Sequence, residues 1–251
     1  MRWLRPFLEL QIRASKAFDT LLPKDMSVDG SRYFLDEFVS PLLRPGMVVY
    51  DVGSGRHPVL GPDEKAAAKL KVVGLDLSGE ELNAAPAGAY DDTVTADITR
   101  FAGHANADLV LSHAVLEHVR DTRGALAAIE SIAAGGGEIA LFVPSRNAAF
   151  ARLNLLLPEK VKLWMLGNLS PNYGGGGGWP AFYDRCTPRD FRRIAKELGL
   201  QVIELKPFFM SSYFMICFPL WVAWRLWMLA ARAIAGENAA ETFCIRLVKP
   251  A

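Results

Sequence analysis

The stretch MVVYDVGSGRHP, residues 47–58, limits what this chain can fold into more than any other. Four apolar residues lead into an acid, Asp51, and then into a turn carrying Gly53 and Gly55. An unbroken apolar run is the mark of a strand covered on both faces. Glycines after such a run let the backbone bend sharply and let a ligand approach the main chain. The pattern predicts a buried parallel strand opening into a binding turn. Alone, a turn of this kind suits dinucleotides and other adenosine ligands equally. Arg56, His57 and Pro58 follow Gly55, so the third glycine of G-x-G-x-x-G is absent. That counts against NAD, whose fold uses this glycine for close helix packing beside the pyrophosphate. His57 either contacts the bound ligand or, the preferred reading, closes the turn through local hydrogen bonds.

The same signal recurs down the chain. KVVGLDLS (71–78) gives a second strand ending at Asp76, about where an acid meets ribose hydroxyls in doubly wound sheets. A carboxylate suits that task because it accepts from both hydroxyls at once. DTVTADIT (92–99) sets Asp97 at the end of a third strand, ADLVLSHAVLEHV (107–119) gives a fourth ending near Ser112 and His113, and GGEIALFVPS (136–145) a fifth. Helical patterns such as DEKAAAKL (63–70) and TRGALAAIESIA (122–133) lie between them. Strands alternating with helices predict an α/β protein with a parallel sheet and ligands at the strands' carboxyl ends.

In this order VVYDVGSGRHP, VVGLDLS, ADIT, ADLVLSHAVLEHV and GGGEIALFVP resemble the motifs of class I S-adenosylmethionine-dependent methyltransferases, in particular the small-molecule branch that includes quinone-biosynthesis enzymes. The resemblance spans roughly residues 45 to 145 and resumes near 187. It implies a Rossmann-like sheet of seven mostly parallel strands with an antiparallel last strand and helices on both faces, and S-adenosylmethionine as cofactor. It also implies positions: the methionine portion beside Asp51, Gly53, Ser54 and Gly55, the ribose on Asp76 next to Leu77, the adenine near Asp97 and Ile98, and Ser112 and His113 on the floor near the sulfonium. Tyr33, in DGSRYF, would either close over the cofactor or pack. The family's loop is usually G-x-G-x-G, and here His57 occupies the third place. His118, in VLEHV, is the candidate general base, since an alcohol acceptor benefits from losing its proton; the alternative is that Glu117 and His118 cap or brace the following helix. Related quinone O-methyltransferases with a metal site carry a glutamate three places before the Glu-His pair. Ala114 stands there, so no metal is expected.

TPRDFRRIAKELGLQVIELKPF (187–208) predicts a helix and strand six, and ETFCIRLVKP (241–250) predicts strand seven. Between them lies an apolar segment, Phe208 to Ile234. Two membrane crossings need about 40 apolar residues, and these 27 are too few; one crossing would strand the chain on the wrong side of its own sheet. The segment is read as a helix in the membrane interface, with Arg225 and Arg232 on one face and Trp221, Trp224 and Trp227 at headgroup depth. A re-entrant hairpin broken at Pro219, or a helix buried in a homodimer, are the alternatives. Residues 1–24 read as a basic amphipathic helix: Arg2, Arg5, Glu9, Arg13 and Lys16 fall in one arc and Trp3, Leu4, Phe7, Leu8, Leu10, Ala14 and Phe18 in the other. It docks either on the domain or on a membrane surface.

Residues 25–145 and 187–250 would form the cofactor domain, 208–234 an interfacial insertion, and 146–186 a lid or substrate insertion, because long connections near a site commonly cover it. The insertion holds an apolar helical pattern at Leu153–Leu166 and a tether of five glycines at 174–178. Tyr183 and Arg185 are its candidate acceptor contacts, with Tyr33 from the start of the domain as a third. A net charge of +1 offers no basic field for nucleic acid. Three cysteines without a C-x-x-C spacing argue against a disulfide framework, and charges early in the chain interrupt any secretory apolar region. The expectation is a cytoplasmic enzyme, peripheral to the inner face of the membrane, that O-methylates a lipophilic or lipid-linked acceptor, a glycan-lipid or quinone-like hydroxyl. The rivals are a soluble small-molecule methyltransferase dimerising through the tryptophan-rich helix and a cofactor-fold protein without turnover.

Overall fold

The computed structural model describes residues 5–157 and 179–251. Strands β1 (Val48–Val52), β2 (Lys71–Asp76), β3 (Asp92–Thr95), β4 (Ala107–His113), β5 (Ala133–Pro144), β6 (Gln201–Phe208) and β7 (Thr242–Val248) form one sheet in the order β3-β2-β1-β4-β5-β7-β6. The pairs among β1 to β5 are parallel, and β7 runs antiparallel to both β5 and β6. This is the predicted Rossmann-like architecture, reversed last strand included. β1, β2 and β4 are buried over nearly their whole length, as their apolar runs require. β3, DTVT, is mostly exposed and polar, which suits a sheet edge that must not recruit another strand.

The helices are α1 (Arg5–Asp19), α2 (Gly30–Tyr33, running on as a π-helical stretch to Val39), α3 (Pro62–Ala67), α4 (Gly79–Asn83), α5 (Thr122–Ile132), α6 (Ala149–Leu156), α7 (Pro188–Glu197) and α8 (Phe218–Ala235). The starts of α2, α5 and α7 are fixed by side-chain caps: Asp29 accepts from the amides of Ser31 and Arg32, Asp121 from Gly124, and Thr187 from Asp190. One face of the sheet packs against α5 and α7 through Leu126, Ile129, Phe191 and Ile194. The other packs against the π-helical stretch, where Phe34 and Phe38 meet Leu109, Leu111 and Phe142.

A third core stands apart from both faces. β6 ends and β7 begins at the sheet's carboxyl edge, so the whole stretch from Phe209 to Glu241 stands on that edge, and α6 leaves β5 on the same side. α1 packs along α8, and the two enclose Met26, Met215, Trp221, Trp224 and Met228. This cap corrects the expected orientation of the apolar helix. Trp221 and Trp224 are core residues, and only Trp227 of the three faces outward. Arg225 and Arg232 do share a face, but it is the inner one. Arg225 is fully buried, donating to Asp19 Oδ1 at 2.9 Å and to the carbonyls of Phe209 and Met26 at 2.8 Å each. Arg232 pairs with Asp25 at 2.6 Å. Pro219 lies in the first turn of α8, where its missing N–H leaves no bond unmade, so it starts the helix and breaks no hairpin.

α1 follows the same inverted plan. Beside Ile12 and Phe18 it turns polar groups inward: Gln11 Oε1 accepts from the Phe218 amide at 2.8 Å, and the Ser15 hydroxyl donates to the Met215 carbonyl at 3.1 Å. Phe7, Leu8 and Leu10, which the helical pattern assigns to a docking side, are exposed. Among the described residues no helix is long and apolar enough to cross a membrane.

Glu241 is fully buried where cap meets sheet. One carboxyl oxygen accepts from the Ala149 amide at 3.0 Å, and Oε2 has no hydrogen-bond partner among the described residues. Burial pushes this carboxyl up to about 7, so folding favours its protonated form. The sign follows: the stability is full at low pH and is lost as pH climbs from the ordinary carboxylate range through about 7. Glu241→Gln removes that loss. Variant and wild type should melt together near pH ~4, and the variant should melt higher near pH ~8; superimposed melting curves at the higher pH would refute the assignment.

Candidate active site at the carboxyl edge

The loop after β1 is built to keep backbone bare. Gly53 has φ +79°, and a Cβ there would lie 2.4 Å from a Val115 methyl. Gly55 has φ +49°, with Glu81 Cβ at 2.9 Å and Asp76 Oδ2 at 3.2 Å from where its Cβ would stand. Neither position has room for a side chain, and only glycine takes such φ values without strain. Asp51 holds the loop from beneath: it accepts from the Ser54 hydroxyl at 2.5 Å and the Val59 amide at 2.8 Å. Burial lifts its carboxyl to about 6 against those two bonds. Asp51 and Ser54 thus tie the loop and do not line the space above it. Arg56 forks onto Glu81 at 2.5 and 2.7 Å, clamping the loop to α4. The His57 amide donates to the Ser54 carbonyl at 2.8 Å, so backbone closes this turn, while the His57 ring is exposed.

Beside the loop opens a cavity of about 620 Å³, walled by the carboxyl ends of β1, β2 and β4. Gly53, Asp76, Leu77, Asp97, Ile98 and His118 all border it. Asp76 Oδ1 accepts from the Ser78 amide at 2.9 Å; partial burial, with Glu81 nearby, raises its pKa. Asp97 accepts from the Thr99 hydroxyl at 2.7 Å and the Thr99 amide at 2.9 Å, bonds that hold its carboxyl below the usual range. A bare turn, an acid at the tip of β2 and apolar Leu77 and Ile98 suit the chemistry of an adenosyl group.

Several predicted positions lie elsewhere. The Ser112 hydroxyl donates to the Val52 carbonyl at 3.0 Å and is buried. His113 turns to the opposite face, with Nε2 2.9 Å from the Ser31 hydroxyl and its ring stacked on Phe142 at 4.7 Å; burial lowers its pKa. Ala114 and Val115 border the cavity instead. Tyr33 packs against Phe208 at 5.3 Å beneath the Lys206 ammonium, away from the cavity. Tyr183 is buried and Arg185 is exposed, and neither is part of the wall; Trp179 and Phe182 are. The Arg120 guanidinium lies 4.1 Å above the Phe182 ring. Phe182 is the aromatic of WPAFY that reaches the wall, one residue before the Tyr183 that the motif suggests. The glycine tether and residues 158–166 of the apolar pattern lie outside the described residues.

His118 stands at the wall with Nδ1 3.0 Å from the Pro180 carbonyl. The following helix is capped by Asp121, so capping is no part of the role of Glu117 or His118.

A glycine-bent turn over an acid-tipped cavity on this sheet defines a Rossmann-like methyltransferase of the S-adenosylmethionine-dependent class. The family model for the methyltransferase domain matches residues 30–205, and the chain belongs to that family. No curated protein matches it in sequence. Among solved structures it is similar to phosphoethanolamine N-methyltransferase 2 of Haemonchus contortus, solved with S-adenosyl-L-methionine (TM-score 0.54, 16% identity, 96% of this chain and 57% of that one). It is also similar to magnesium protoporphyrin IX methyltransferase of Synechocystis with bound SAH (TM-score 0.52, 17% identity, 87% and 81%). A third similar structure is the [4+2]-cyclase SpnF (TM-score 0.53, 15% identity, 88% and 80%). At these identities the likeness is one of fold, and the acceptors named differ widely, so the fold does not fix the acceptor.

Proposed function

We propose that this methyltransferase carries S-adenosylmethionine in the carboxyl-edge cavity and transfers its methyl group to a lipophilic or lipid-linked hydroxyl, of glycan-lipid or quinone-like type, at a membrane surface. The observation that carries the reading is the inverted cap. Of the seventeen large apolar side chains exposed among the described residues, fourteen belong to α1 and its end, α6, Trp179, or the stretch around α8. They are concentrated at the edge where the cavity opens, and large exposed apolar patches mark membrane or partner contacts. Arg5, Arg13 and Lys16 on α1 are exposed beside them and suit anionic headgroups.

In this reading the Gly53–Gly55 backbone receives the methionine portion, Asp76 the ribose hydroxyls, and Leu77 and Ile98 flank the adenine beside Asp97. The sulfonium supplies its own leaving group, so the protein's task is alignment and exclusion of water. His118 is the base. A carbonyl can only accept, so the contact with Pro180 keeps the proton on Nδ1 and leaves the Nε2 lone pair free.

Asp76→Ala should weaken binding of S-adenosylhomocysteine by about 10- to 100-fold in calorimetry, the value of hydrogen bonds to a charged group; unchanged affinity would remove the ribose from Asp76. The acceptor is tested by incubating the enzyme with methyl-labelled cofactor and a lipid extract and following label into the organic phase. Label confined to the aqueous phase contradicts a lipophilic acceptor. The purified protein should sediment with anionic liposomes at low salt. A detergent-independent dimer that ignores liposomes would instead make the exposed face of α8 a subunit contact.

A further inference from the structure

Glu117 sits in the single helical turn Leu116–His118 between β4 and α5. Its main-chain carbonyl accepts from the amides of Phe182 at 2.8 Å and Tyr183 at 2.9 Å, which fixes the turn against the cavity wall. Its carboxyl is almost wholly enclosed, and Oε2 has no hydrogen-bond partner among the described residues. A buried polar group left this way is costly, so one that persists calls for a reason. Oε1 lies 3.6 Å from Nε2 of His118, the nitrogen that the Pro180 contact leaves without a proton. Among the described residues, the other titratable groups facing this carboxyl are Tyr183 and Cys186 from the segment leading into α7, and Tyr213 from the stretch before α8. None of these can become a cation; His118 can.

We infer that Glu117 is a positioning residue for His118, its carboxylate stabilising the imidazolium formed when Nε2 takes the acceptor's proton. The inference rests on the reading of His118 as base. In the step it serves, the acceptor oxygen attacks the methyl carbon, the O–C bond forms and the C–S bond breaks. Its electron pair goes to sulfur, turning the sulfonium into the thioether of S-adenosylhomocysteine, and the hydroxyl proton passes to Nε2. The proton then leaves to solvent, returning His118 to its starting form. Burial pushes the Glu117 carboxyl up to about 8, so support for the imidazolium grows as pH rises toward that value.

The test needs no acceptor. Full-length protein labelled with ¹⁵N-histidine contains four histidines, and His118→Asn assigns the relevant ring. The His118 ring should begin in the Nδ1–H tautomer, and its nitrogen shifts should register ionisation of the Glu117 carboxyl as a step within about one unit of pH 8. Glu117→Gln should remove that step, and Tyr183→Phe should keep it. Its absence in the wild type, or its survival in Glu117→Gln, overturns the assignment. Should Glu117→Gln not fold, the wild type and Tyr183→Phe still decide: loss of the step with the tyrosine hydroxyl assigns it to Tyr183 and overturns the proposal. Such a failure leaves the cofactor and acceptor readings intact, and failure of the lipid-extract assay leaves the Glu117–His118 coupling intact.

Discussion

Gly53→Ala should abolish detectable binding of S-adenosylhomocysteine while the sheet stays folded. Two costs coincide at this position. A φ of +79° places a non-glycine residue under strain of about 1–3 kcal/mol, and the new Cβ would stand 2.4 Å from a methyl of Val115, which itself borders the cavity. Relief requires either the turn or Val115 to move, and both define the surface on which the cofactor would lie. Calorimetry on the variant should show no heat where the wild type binds, with an unchanged far-ultraviolet circular dichroism spectrum. Gly46→Ala is the control, because Gly46 has φ +85° but nothing within 4 Å of the added carbon. It should lose a little stability and no affinity. Binding by Gly53→Ala within about tenfold of wild type, a difference of only ~1.4 kcal/mol, would mean that the cofactor does not run over this turn.

Arg225→Ala should be the most destabilising substitution in the cap. It leaves Asp19 buried without its cation and strips donors from the Phe209 and Met26 carbonyls. Removing one partner of a buried pair costs about 3–5 kcal/mol. For a chain of this size that is a fall of roughly 6–20 °C in melting temperature. Burial raises the pKa of Asp19 and lowers that of Arg225 in spite of their contact, so the pair is itself held at a desolvation cost. Replacing both partners with apolar residues, Asp19→Leu with Arg225→Met, should therefore recover much of the loss. Differential scanning calorimetry of the three variants checks the order. If Arg225→Ala melts within about 2 °C of wild type, less than one kcal/mol, the pair does not hold the cap.

The sheet was legible because parallel strands buried on both faces leave continuous apolar runs, and because Asp51 and Asp76 end two of them. The turn at Gly53 and Gly55 was legible for the same reason: the acid before it marks where the strand stops. The facing of α8 was not. A spacing of seven tells that Arg225 and Arg232 share a side, but periodicity cannot say which side is inside when charge is buried and leucine is exposed. His113 illustrates a second limit. It follows Ser112 by one residue, and alternation along β4 sends it to the aromatic cluster on the far face of the sheet. Tyr183 and Arg185, both at positive φ (51° and 47°), illustrate a third. The backbone reverses there, burying Tyr183 and leaving Phe182 on the wall, and no local pattern announces such a kink at non-glycine residues.

The inverted cap also has a mechanical side. Its Arg225–Asp19 seam is closed off from water by the surrounding methionines and tryptophans, and charges attract more strongly where their surroundings are less polarisable. The grip that joins α1 to α8 is therefore insulated from added salt, which weakens exposed ion pairs and leaves an enclosed one largely untouched.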